Sequence, residues 1–89
     1  MLYMISYDLK TPGRDYSLLY EAIKSYSVWW HYLDSTWIIK STLPAKEIAN
    51  FLHQKIDVND YLIVVDITGM QRDGWLPKKA WDWITANEK

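Results

Sequence analysis

The first and last strand-like runs of the chain are apolar on both faces, and this restricts the folds open to it. Tyr3, Ile5 and Tyr7 alternate with Leu2, Met4 and Ser6, and Ile63 and Val65 alternate with Leu62 and Val64. An antiparallel sheet with one wet face alternates apolar with polar residues. A sheet built from these strands therefore needs cover on both sides. Helices supply one side. A second copy of the chain, the C-terminal tail, or both supply the other.

The remaining elements follow from periodicity. Residues 2–8 read as a strand. Arg14 to about Tyr26 reads as an amphipathic helix, with Tyr16, Leu19, Tyr20, Ile23 and Tyr26 on one stripe. Residues 28–33 and 36–41 are aromatic and β-branched runs around Asp34-Ser35, a hairpin pattern. Pro44 starts a second helix with Ala45, Ile48, Ala49, Leu52 and Ile56 on its apolar stripe. Asp57 to Asp60 is a turn, Tyr61 to Thr68 a strand, and 69–74 a loop. Trp75-Leu-Pro77 leads into a tail helix, with Trp81 and Ile84 facing inward. The order is strand, helix, strand, strand, helix, strand, tail helix. It predicts an α+β, ferredoxin-like βαββαβ fold with a four-stranded antiparallel sheet and both main helices on one face. The 89 residues form one domain, with a core of 1–68 and a Trp-rich tail of 69–89. The second apolar face predicts a homodimer; the alternative is that the tail helix alone covers it.

Composition narrows the function classes. There is no cysteine, so disulfides and thiolate metal sites are excluded. That fits a reducing, cytoplasmic setting. No signal peptide and no membrane-spanning run is expected. Residues 1–44 carry four cations and four anions, and residues 45–89 carry six and seven. Strong general nucleic-acid binding needs a basic face, and only Lys10 with Arg14 and Lys78 with Lys79 form basic spots. A nucleotide-sized ligand stays open. Six Trp and seven Tyr exceed what one small core uses, which points to an oligomer interface or a ligand site.

Asp8 ends the first strand just before Lys10-Thr-Pro-Gly13. It can hold a divalent metal, bond the amides of the following turn, cap the next helix, or polarise a dimer contact. Asp66 ends the last strand and either joins Asp8 in an acidic cluster or pairs with a cation. Arg72 and Asp73 fall in a loop and read as solvated. His31, among Trp29, Trp30 and Tyr32, is a general acid or base or a structural hydrogen-bonding residue. His53 reads as exposed, and the two histidines lack zinc-ligand spacing. Trp29 and Trp30 point to opposite faces, so at most one enters the main core. Aromatic platforms stack bases at ~1–3 kcal/mol each, so a pocket of Trp, Tyr and Arg can hold a nucleotide without a large basic field. Trp75, Trp81 and Trp83 read as pins that hold the tail to the sheet or to a partner subunit. No phosphate loop and no Ser/His/Asp or Cys/His pattern is present.

The start Leu2-Tyr-Met-Ile-Ser-Tyr-Asp8, the order of elements and the strand Ser35-Thr-Trp-Ile38 resemble CRISPR-associated protein two and its relative, virulence-associated protein D. The resemblance covers roughly residues 1–68. It implies a ferredoxin-like homodimer with the two Asp8 carboxylates facing across the two-fold axis. It also implies nucleic-acid or nucleotide binding, with metal-dependent endonuclease activity through Asp8 in some members. Asp8 is then the catalytic and metal residue, with magnesium or manganese as cofactor. Lys10, Arg14, Trp30, His31 and Trp37 are the candidate nucleotide or nucleic-acid contacts. The chain differs in its few cations after Asp8 and in its Trp-rich tail. Two other functions stay open: a non-catalytic binder that sequesters a nucleotide signal of phage defence, and a protein-interaction or antitoxin-like module.

Overall fold

The structure is a computed structural model, described for residues 1–88. Its elements are β1 (Leu2–Asp8), α1 (Ser17–Lys24), β2 (Trp29–Leu33), β3 (Thr36–Lys40), α2 (Ala45–His53), β4 (Tyr61–Asp66) and α3 (Lys78–Asn87). The four strands form one antiparallel sheet in the order β2-β3-β1-β4, an α+β architecture.

The strand parity read from the sequence holds. Tyr3, Ile5 and Tyr7 of β1 meet Trp37 and Ile39 of β3 on one face. Leu19, Ala22 and Ile23 of α1 and Ile48 and Leu52 of α2 close this main core. The buried tyrosine hydroxyls are satisfied: Tyr3 Oη donates to the Leu43 carbonyl at 2.7 Å and Tyr7 Oη to the Asp34 carbonyl at 3.2 Å.

The opposite face has its own core, built by the tail. Leu2, Trp30 and Ile38 of the sheet pack on Ala80 and Ile84 of α3. The Trp30 indole Nε1 donates to the Ala80 carbonyl at 3.1 Å. Ala80 is fully buried because its small side chain lets α3 approach the indole. Arg72 ties the two ends of the tail together. It donates to the Ile67 carbonyl at 3.0 Å and pairs with Glu88. It is therefore a latch rather than a solvated loop residue. The cover is partial: Tyr61 and Ile63 of β4, on the same face as α3, are 68% and 59% exposed.

Helix α1 starts at Ser17, three residues later than periodicity predicts. Thr11-Pro12-Gly13-Arg14 uses those residues as a type II turn. Gly13 has φ 78° and Arg14 N–H bonds the Thr11 carbonyl at 3.3 Å. Asp15 Oδ1 then accepts from the Ser17 amide at 2.9 Å.

Candidate functional site

Strand order places the candidate residues at three separate locations. Lys10 and Arg14 lie by the start of β4, at one edge of the sheet. Trp30 lies under α3. His31 and Trp37 lie on the helix-covered face, towards the β2 edge.

At the β4 edge, the group that organises the turn after β1 is Asp60, not Asp8. Asp60 is buried. Its Oδ1 accepts from the Lys10 amide at 2.7 Å and the Tyr16 hydroxyl at 2.9 Å, and its Oδ2 accepts from the Asp57 amide at 2.7 Å. Burial opposes ionisation of this carboxyl. The hydrogen bonds from Lys10, Asp57 and Tyr16, with the Arg14 charge, outweigh it and hold Asp60 below the ordinary carboxylate range. Asp57 binds the Thr11 hydroxyl at 2.9 Å and the Arg14 guanidinium at 3.5 Å. The loop 57–60 thus clamps the segment 10–16.

Asp8 itself is exposed and pairs with the Lys10 ammonium at 2.7 Å. It lies opposite Tyr61, whereas Asp66 lies opposite Tyr3, at the far end of the strand pair and on the other face. The two carboxylates do not form one cluster. Asp66 Oδ1 instead accepts from the Thr68 amide at 2.9 Å. Among the described residues no three His, Asp or Glu side chains are grouped as metal ligands. Within one protomer the donor set at Asp8 does not fit magnesium. It is one carboxylate already bound to an ammonium, where the ion usually takes one or two carboxylates together with waters and substrate phosphates.

The third location is a cleft of about 280 Å³ between α1 and the β2–β3 hairpin, lined by Tyr7, Tyr20, Lys24, His31, Asp34 and Trp37. The His31 ring lies flat on Trp37, with centroids 3.7 Å apart and planes at 10°. Tyr20 stacks with Trp37 at 6.2 Å. Trp37 Nε1 donates to Tyr7 Oη at 3.0 Å. The Asp34 carbonyl accepts from both Tyr7 Oη and His31 Nε2, the latter at 3.1 Å. His31 Nε2 therefore carries a proton, and the ring is held at a fixed tilt. Lys24 Nζ sits 5.2 Å from the centroid of the half-exposed Trp29 ring, and no carboxylate pairs with it among the described residues.

Trp30 and Trp37 are 2% and 1% exposed. They are core residues, and neither offers a free face to a base. The aromatic surface of the cleft is His31, with Trp29 and Tyr20 beside it. Neither Tyr20 nor Lys24 stands out in the sequence, because Tyr20 reads as one more residue of the apolar stripe and Lys24 as an exposed helix lysine. Comparison with models of known protein families, with curated proteins and with solved structures gives no match.

Proposed function

We propose that the chain is a homodimeric, non-catalytic binder of a nucleotide, held in the cleft between α1 and the β2–β3 hairpin. The observation that supports this is the His31 ring, stacked on Trp37 at 3.7 Å and hydrogen-bonded by the Asp34 carbonyl. A ring fixed in this way is a ready platform. A base stacks on its outer face, and the unpaired Lys24 ammonium at the rim meets a phosphate. Charge agrees with a small ligand rather than a duplex. Lys10, Arg14 and Lys78 are each neutralised by a carboxylate, at 2.7, 3.5 and 2.8 Å. The two basic spots that the sequence offers, at Lys10 with Arg14 and at Lys78, are thus partly neutralised, which weakens the case for a sequence-independent duplex contact.

The strand order β2-β3-β1-β4 supports a ferredoxin-like split βαβ arrangement. The second copy covers the part of the sheet that α3 leaves bare. In that dimer Asp8 lies at the rim of the shared face, beside Tyr61, and serves as an edge ion pair with Lys10. Asp8→Ala is then expected to leave both the melting temperature and nucleotide binding unchanged. Thermal melts with and without magnesium check this. A magnesium-dependent stabilisation present in the wild type and lost in Asp8→Ala would restore a metal role.

The cleft is tested by thermal shift and tryptophan fluorescence against mononucleotides, cyclic nucleotides and cyclic dinucleotides, without added metal. At least one class is expected to raise the melting temperature and quench fluorescence, with no change in the ligand over time. His31→Ala and Lys24→Ala each remove that response while the apo melting temperature holds. Lack of response across the panel, or a response that both variants keep, overturns the reading.

A further inference from the structure

The cleft between α1 and the β2–β3 hairpin holds a second charge, which stacking and phosphate contact leave unused. Asp34, in the hairpin turn, lines the same cleft as Lys24 of α1. The hydrogen bonds that Asp34 accepts from Tyr7 Oη and His31 Nε2 both go to its backbone carbonyl. Among the described residues its carboxylate takes part in no hydrogen bond and no ion pair. The carboxylate still acts on the cleft. Burial holds the Tyr7 phenol above its ordinary pKa, and the Asp34 charge adds to that shift. The two charges stand at different ends of one aromatic floor. Trp29 and His31 both lie against Trp37, at 5.5 and 3.7 Å. Lys24 Nζ stands at the Trp29 end, 5.2 Å from that ring. Asp34 stands at the His31 end, where its carbonyl is 3.1 Å from Nε2.

We propose that this cleft selects guanine nucleotides, with the Asp34 carboxylate accepting the two adjacent donors of the guanine edge, N1–H and the N2 amine. This preference rests on the nucleotide reading above and names its base. A carboxylate only accepts hydrogen bonds. On their pairing edges, adenine and cytosine each set one donor beside a ring nitrogen that accepts. Uracil sets its N3–H between two carbonyl oxygens. An acceptor-only group meets repulsion at all three. Of the four common bases of RNA, guanine alone presents two donors side by side, and the two carboxylate oxygens match them. Paired hydrogen bonds to an ionised group are strong and directional. The same charges fix the direction of the ligand. The base edge meets Asp34 and the phosphate meets Lys24, whereas the reverse placement sets a phosphate against a carboxylate.

The test is tryptophan-fluorescence titration of the full chain with GMP, IMP, AMP, CMP and UMP, and with cyclic di-GMP against cyclic di-AMP, without added metal. The guanine member of each series is expected to bind tightest. IMP keeps N1–H and lacks the N2 amine, so it is expected to bind about tenfold more weakly than GMP, the scale of one hydrogen bond to a charged group. Asp34→Asn is expected to keep the apo melting temperature, since the fold uses Asp34 through its carbonyl. It is expected to lose the preference for GMP over IMP. It is also expected to gain affinity for AMP, because a carboxamide offers the donor and acceptor that complement adenine. Equal binding of all bases, or a guanine preference that Asp34→Asn keeps, overturns the assignment to Asp34 and leaves the nucleotide cleft standing. No response to any of these nucleotides overturns both.

Discussion

Trp30→Ala is expected to unfold the second core and release the tail helix, at a cost of about 3–5 kcal/mol. The indole is 2% exposed, packs with Ile38, Ala80 and Ile84, and donates its Nε1 proton to the Ala80 carbonyl. Truncation removes that volume and the indole's hydrogen bond to the Ala80 carbonyl. The void cannot refill by collapse of the sheet, because the main core holds the other face of the same strands. For a domain of this size each kcal/mol corresponds to about 4–8 °C, so the melting temperature falls by more than about 12 °C. Trp30→Phe separates the two contributions. It keeps most of the packing and loses only the hydrogen bond, with an expected cost of about 1–2 kcal/mol. Urea titration gives the free energies, and proteolysis near residue 75 reports release of the tail. A loss in Trp30→Ala no larger than that of an exposed substitution would show that α3 does not depend on the indole.

The same residue shows what was legible in the sequence. Strand alternation assigned Trp29 and Trp30 to opposite faces, and that assignment follows from backbone geometry alone. Periodicity likewise placed Leu19, Ile23, Ile48, Leu52 and Ile84 inward. It could not show how the tail docks. Ala80, the closest contact of α3, carries no hydrophobic signal strong enough to stand out. Trp75, which reads as a pin for the tail, is 98% exposed because Leu76 beside it makes the contact instead.

The cleft was partly legible and partly not. His31 and Trp37 stood out as aromatic strand residues. The β2–β3 pairing shifts register between Trp30 and Leu33, the stretch that holds His31, and no local residue pattern specifies that shift. The hairpin turn is Asp34-Ser35, without a positive-φ residue. A two-residue turn of the usual hairpin type needs φ > 0, and its absence accompanies the irregular pairing. Asp8 stood out because it ends a strand. Its neighbour across the fold, Asp60, did not, because all that marks Asp60 is tertiary: partners 44 and 50 residues away in sequence.

Asp60 therefore carries the second large effect, and it is pH-dependent. Asp60→Ala removes one acceptor group from two backbone amides and one hydroxyl at once, in a buried place where water does not replace it. The 57–60 loop then loses its hold on residues 10–16. The melting temperature is expected to fall well beyond that of any exposed carboxylate variant. Asp60→Asn keeps an oxygen for Lys10 and Tyr16 but turns an amide group towards the Asp57 N–H, so its loss is intermediate. The sign of the pH effect follows from the lowered pKa of Asp60 in the folded chain. A carboxylate whose pKa is depressed on folding adds stability that is complete above its unfolded value, about 3.9. That stability is lost as pH falls from there through the lower folded value. Asp15 and Asp66 are also held low, by the Ser17 and Thr68 hydrogen bonds, and act in the same direction. The wild type is thus expected to lose stability below about pH 4, and Asp60→Asn to lose it less steeply. Equal acid slopes for the two proteins would overturn that role. Amide exchange gives an independent check at neutral pH. Lys10 and Asp57 donate to Asp60 directly, so their exchange should accelerate in Asp60→Ala. The Leu19 amide, bonded to the Tyr16 carbonyl at the start of α1, should change only as far as the helix start follows the turn.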